Sequence, residues 1–353
     1  MGHDSSEALE AMKDTTTAFP RWLSVYLIVV PMTLVAQLAH RSDLIFPEAA
    51  ALTLGTWGGE SPPWSRSLLQ LVLLPPLAAA IGVGSVALHI PAEVAFITLI
   101  VGIPLVLSRL DSPLIPTISA GALPTLLQIG SPWFLVVVTV ISALLGLGMW
   151  AGTQWRLHRV ATQSASPDTS PDHSPAAGHG PVESDTVERD APEHSMPMTS
   201  QSMRRRALGY FIGLSLIWTL IAYATLPHAA LAPPLLVSFY EWLSTQRKGL
   251  ARYGRRWLTI SGAVIIGTVA HQLSHDYVLS AIVALTATYL VMRLAHEVHP
   301  PTLAISLLPL IFPTSGAPLR VVAVCLAVAV LYGLGLVAPM TASYLHRFAP
   351  PSP

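Results

Sequence analysis

Charge is what this chain has least of. Asp, Glu, Lys and Arg make up 11% of its 353 residues, against about 25% in soluble domains. The two signs cancel to a formal net charge of zero, so no bulk charge points to nucleic acid as a partner. Cysteine is nearly absent. Cys325 stands alone in an apolar stretch, which excludes an intrachain disulfide and reads as a small buried hydrophobe. Glycine-rich phosphate loops, a Gly-x-Ser-x-Gly elbow, paired zinc-ligand motifs and heptad arrays are missing. An enzyme therefore has no positive signal, and neither a cofactor nor a metal ion is expected. Short alternating strands are missing too, which speaks against an outer-membrane barrel.

What is there is apolar. Hydrophobic residues make up 52% of the chain, gathered in long blocks between short charged connectors. That is the pattern of an all-α, polytopic transmembrane helical bundle. The first half offers six apolar segments, roughly 22–39, 44–58, 67–89, 91–108, 113–128 and 132–151. The second half offers six more, about 207–225, 228–243, 256–273, 277–293, 299–314 and 318–340. Between them, 153–206 is rich in Ser, Pro, Asp, Glu and His and reads as a disordered linker. Its histidines His173, His179 and His194 are too scattered to form a site. Residues 1–21 read as a polar tail, 22–152 as the first repeat, 207–340 as the second, and 341–353 as a second tail. No small-residue cleavage pattern follows the run Trp22 to Ala39, which reads as a retained span.

The two halves repeat. Arg109 to Pro124 reads RLDSPLIPTISAGALP, and Arg293 to Pro309 reads RLAHEVHPPTLAISLLP. At an offset of 185 residues, Trp57 meets Trp242, Ile81-Gly82 meets Ile266-Gly267, and Pro116-Thr117 meets Pro301-Thr302. The matched Gly, Trp and Pro positions carry the duplication. Six segments per repeat is an even number, so the repeats are expected to be parallel.

Positive charge bears on topology. If all twelve segments cross, Arg41 and Arg320 alone among the basic residues fall outside. If segments two and five of each half are re-entrant, Arg66, Arg109, the basic run 247–256 and Arg293 move outside as well. The positive-inside tendency favours twelve crossings in an inner (plasma) membrane, with linker and both termini cytoplasmic. The short segments are expected in the interior, where broken backbone can be buried in protein or face water. The run 247–256 then orients the chain and meets anionic lipid. Arg109 and Arg293 either snorkel to the interface or attract an anion to the inner mouth.

The unusual chemistry lies in those short segments. Pro47-Glu48 and Pro233-Pro234 open segment two of each half; Pro116-Thr117 and His299-Pro300-Pro301-Thr302 open segment five. Short, proline-interrupted segments at matching positions are the best sequence pointer to a transport site. Proline fits the first turn of a helix, and the free N–H groups beyond it suit an anion. The plainer reading is a kinked packing helix. His299 either binds an anion, relays a proton, or caps a helix. Glu48, an acid in an apolar run, is functional or interfacial. His296-Glu297-Val298-His299 lacks the spacing for a metal, and His271 with His275 beside Asp276 reads as a solvated loop.

The second half resembles the HPP family of integral membrane proteins, named for a His-Pro-Pro motif after an apolar helix. The match is LTATYLVMRLAHEVHPPTLAISLLP, with His299, Pro300 and Pro301; PPLLVSF at 233–239 and the helix around Gly262 and Gly267 are also similar. The resemblance covers about 207–315, and the first half looks like a diverged copy. It implies a transporter, with nitrite the substrate assigned to some members. Where the family usually continues Ala-Gly-Ala, this chain has Thr302-Leu303-Ala304, and its run Ser238-Phe239-Tyr240-Glu241-Trp242 replaces Ser-Phe-Gly-Ala-Ser. The expectation is a transporter or channel moving a small, nitrite-like anion by alternating access between the repeats. His299, Pro300, Pro301, Thr302, Pro116, Thr117, Glu48, Pro233 and Pro234 are the candidate contacts. Membrane lipid and a small solute are the expected partners, and a homo-oligomer is open. The alternative is a non-transporting scaffold or partner subunit.

Overall fold

The computed structural model describes residues 21–57, 64, 67–164, 201–226, 228–244, 249–312 and 316–348. Most of the region read as linker, Arg247, Lys248, nearly all of the first tail and residues 349–353 of the second lie outside these residues. Helix nevertheless enters the expected linker from both sides, reaching Ser164 at one end and starting at Gln201 at the other. Helix also continues to Phe348, into the stretch read as the second tail.

Twelve α-helices are described. The first half has α1 Ser24–Leu38, α2 Glu48–Trp57, α3 Leu68–Ala87, α4 Ala92–Arg109, α5 Thr117–Leu127 and α6 Pro132–Ser164. The second has α7 Gln201–Thr225, α8 Pro233–Ser244, α9 Leu250–Ser274, α10 Tyr277–Leu294, α11 Pro300–Leu307 and α12 Ala317–Phe348. The fold is all-helical, and no strand occurs among the described residues. Several starts follow from local chemistry. Proline opens α6, α8 and α11, where its missing N–H is not needed. Ser67 and Asp276 cap α3 and α10, accepting from the N–H groups of Gln70 and Leu279. Several helices end in a left-handed residue that is not glycine; Asp111 after α4 and His296 after α10 do so at φ 48° and 51°. Short polar side chains tolerate that conformation best.

Length and burial sort eleven of the twelve helices into two classes, with α1, of 15 residues, between them. Seven of those described, α3, α4, α6, α7, α9, α10 and α12, are long and apolar enough to cross a membrane. They bury between 33% and 50% of their apolar windows and turn leucines such as Leu69, Leu77, Leu147, Leu220, Leu258 and Leu326 outward. In a soluble protein so much exposed apolar surface would aggregate; facing lipid, it is solvated. Trp133 at the start of α6 and Trp150 and Trp155 towards its end are exposed, at the two levels where interfacial aromatics belong. The chain is therefore an integral membrane helical bundle.

The second class is α2, α5, α8 and α11, of 10, 11, 12 and 8 residues. Such helices span about 12–18 Å, well short of the roughly 30 Å hydrocarbon core. Almost every residue in them is buried. They pack on one another, α2 on α11, α11 on α8 and α8 on α5, with the longer helices around them. The expected interior position of the short segments is what is observed. Across the bundle α1 packs on α10 and α4 on α7, so each half touches the other through both classes.

Two glycines set the closest approaches. A Cβ on Gly82 of α3 would come within 2.1 Å of the Gly121 carbonyl oxygen on α5. One on Gly267 of α9 would come within 2.0 Å of the Ser306 carbonyl oxygen on α11. Small residues let membrane helices meet backbone to backbone.

The helix α1 runs antiparallel to α10. Near its start, Trp22 stacks on Tyr289 at 4.8 Å and the Tyr26 and Thr286 hydroxyls bond at 2.7 Å. Near its end, Gln37 Nε2 donates to Asp276 Oδ2 at 2.6 Å. Asp276 thus ties two helices and caps one. Its carboxyl is held below the usual carboxylate range by the Leu279 N–H first and the Gln37 amide second.

Candidate functional site

Four candidate residues stand where α11 begins. His299 is its N-cap, in extended backbone, followed by Pro300 and Pro301 in the first turn. The imidazole is 1% exposed. Its Nδ1 lies 3.1 Å from Thr302 Oγ1 and 3.4 Å from Ser238 Oγ on α8. Its Nε2 lies 2.7 Å from Glu241 Oε2, an ion-pair distance, but without hydrogen-bond alignment. Ser238 in turn makes a short hydroxyl–hydroxyl contact with Tyr332 of α12. One imidazole therefore has a carboxylate on one nitrogen and two hydroxyls on the other, inside a membrane bundle. His299 occupies the N-cap position of α11 without a side-chain cap bond, and its ring joins a buried polar network.

Beside this network lies a buried ion cluster. Arg256 Nε and Arg252 Nε donate to the same oxygen, Glu297 Oε1, at 3.1 and 3.2 Å. The Arg256 and Glu297 side chains are 6% and 8% exposed. The Arg256 guanidinium also stands 5.7 Å over the Trp242 ring, with its Nη1 buried and unpartnered. This corrects one expectation. Arg252 and Arg256 belong to α9, not to a basic loop between two spans, and Arg256 is an interior charge.

The rest of the candidate set is elsewhere. Glu48, at the start of α2, is 1% exposed, and neither carboxylate oxygen has a hydrogen-bond partner. Ser119 of α5 stands beside it, out of hydrogen-bond geometry, with its own hydroxyl unpartnered. Thr117 begins α5, buried and unpartnered. Thr302, 185 residues later, has His299 as partner, whereas the position matching His299 holds the buried Leu114. Pro233 and Pro234 are buried in the first turn of α8, at the opposite end from Glu241. Glu48 follows the loop at the Gln37–Asp276 end, and His299 follows the far end of α10, so the two ionisable candidates sit at opposite ends of the bundle.

Ser238, Tyr332, Arg256 and Glu297 were missed as site residues. Ser238 and Glu241 share a helix face by their i, i+3 spacing, a signal that was present. Tyr332 lies mid-span and carried none. His271, expected in a solvated loop, is 8% exposed and stacks on Tyr277 at 5.8 Å. Arg109 and Arg293 are exposed at their helix ends.

No family model, curated protein or solved structure matches the chain.

Proposed function

We propose that the chain is a secondary transporter or channel of two parallel repeats, moving a small, nitrite-like anion between them. The observation that carries this reading is the buried group of four short helices with ionisable residues at its two ends. A buried carboxylate without a partner, Glu48, is a place where a proton or cation can sit. His299 can exchange a proton with Glu241 while its other nitrogen is oriented by the hydroxyls of Thr302 and Ser238. Thr117 and Thr302, at the starts of α5 and α11, offer hydroxyls and helix N-termini to an anion.

Further geometry supports the repeat and the crossing count. Glu48 and Pro233, Ala92 and Tyr277, and Pro132 and Ala317 each begin a helix, and each pair is 185 residues apart. Antiparallel α1 and α10 agree with twelve crossings; with the short segments re-entrant these two helices would be parallel. The likeness of His299-Pro300-Pro301 to the HPP family adds the anion and nitrite. Both termini would then be cytoplasmic, with the His299 network at the inner mouth.

A second reading, a membrane scaffold or partner subunit, is favoured by how tightly the centre is closed. Glu48, Thr117, His299 and Thr302 are at most 3% exposed. Under the transport reading this is an occluded state. Purified protein in proteoliposomes decides between them: anion flux, screened with nitrite included, should exceed that of protein-free vesicles and fall at least tenfold in His299→Leu. Flux equal to empty vesicles for every anion tested supports the scaffold.

A further inference from the structure

Away from the His299 network, an open cleft lies between α9, α12 and the turn after α11. It sits at the end of the bundle that carries Asp276. Its walls are mostly apolar, with Leu308 and Phe312 among them, and four polar residues interrupt them: Thr268, His271, Gln272 and Arg320. None of the described lining residues is acidic. His271 is more than nine-tenths buried, and its Nδ1 has no partner.

The other half supplies an internal control. At the 185-residue offset, Thr268, His271, Gln272 and Arg320 correspond to Val83, Val86, Ala87 and Leu135. There, α3 packs on α6 with an all-apolar set. Packing α9 on α12 therefore does not require polar residues at these positions. The placement of Arg320 is also costly by itself. It lies in the first turn of α12, where the helix already carries about half a positive charge. A cation adds to that field instead of balancing it. An anion would be favoured by both.

We infer that this cleft is a binding site for an anion with a short apolar body, its charged head at Arg320 and His271 and its body against Leu308 and Phe312. The comparison between halves rests on the two-repeat reading; the cleft and its residues do not. One chemistry fits two sources, a soluble short-chain carboxylate or a fatty acid from the bilayer.

The test is direct binding to the full-length protein in detergent, with butyrate, butylamine and lauric acid as probes in calorimetry. Butyrate or laurate should bind, and butylamine, of equal length and opposite charge, should not. Butyrate binding assigns the soluble source; laurate binding alone assigns the membrane source. Arg320→Leu should weaken the bound acid at least tenfold. The fourfold change Thr268→Val, His271→Val, Gln272→Ala and Arg320→Leu, which installs the first half's residues, should abolish binding and keep the helical circular-dichroism signal. Binding of neither acid, equal binding of butylamine, or unchanged affinity in a folded variant would overturn the assignment. Because wild-type probes suffice, a variant that fails to fold leaves the test standing. Calorimetry reads this cleft and vesicle flux reads the central path, so either can fail without the other.

Discussion

At the scale of single residues, the sharpest contrast is between charges that are buried and charges that are not. Glu297 pairs with Arg256 inside the protein and with Arg252 at its edge. Removing one partner of a buried pair typically costs about 3–5 kcal/mol, because the other charge is stranded. Glu297→Gln should therefore lower the thermal unfolding midpoint far more than Arg252→Gln, measured side by side in detergent. Equal shifts would show that Arg256 is solvated. Thr302→Val removes one hydroxyl from His299 and should cost about 1 kcal/mol by the same measurement. Asp276 gives a pH dependence. Its folded carboxyl is depressed below the ordinary 3.8. Its contribution is thus fully present above that value and lost as pH falls through the lower, folded one. The acid limb of wild-type stability should be shallower in Asp276→Asn. Glu48 and His299 were legible as lone ionisable residues in apolar runs. Their surroundings were not, because Ser238 and Glu241 reach His299, and Tyr332 reaches Ser238, from helices distant in sequence.

At the scale of helices, two glycines and one control separate packing from propensity. Gly82→Ala would push a Cβ into the Gly121 carbonyl oxygen, which is backbone and cannot rotate away. Gly84, two residues on, has nothing within 4 Å of its Cβ position. Alanine there should be neutral or stabilising by up to about 1 kcal/mol, while Gly82→Ala destabilises. Chemical denaturation of both variants checks the contrast; the reverse order would mean that α3 does not meet α5 at Gly82. The apolar blocks placed every helix described, and prolines 132, 233 and 300 marked three starts. What the sequence could not convey was how α6 and α7 continue into polar territory, since helix propensity there does not depend on an apolar face.

At the scale of the whole molecule, the order of long and short helices was readable from segment length, and the interior position of the short ones followed from backbone satisfaction in lipid. Which long helix adjoins which was not readable, because α1 on α10 and α4 on α7 are contacts between halves. Direction can be measured. His40 and His296 are exposed at opposite ends of the bundle, so single cysteines there, in a Cys325→Ser background, should react with an impermeant thiol reagent from opposite sides of sealed vesicles. The centre itself admits the most direct test. Single cysteines replacing Thr117 and Thr302, at the buried starts of α5 and α11, would be challenged with a small impermeant thiol reagent in membranes. A solute path predicts labelling at both, slowed when nitrite is added. No labelling at either site, while the His296→Cys protein in the same membranes labels fully, would contradict a path through the four short helices.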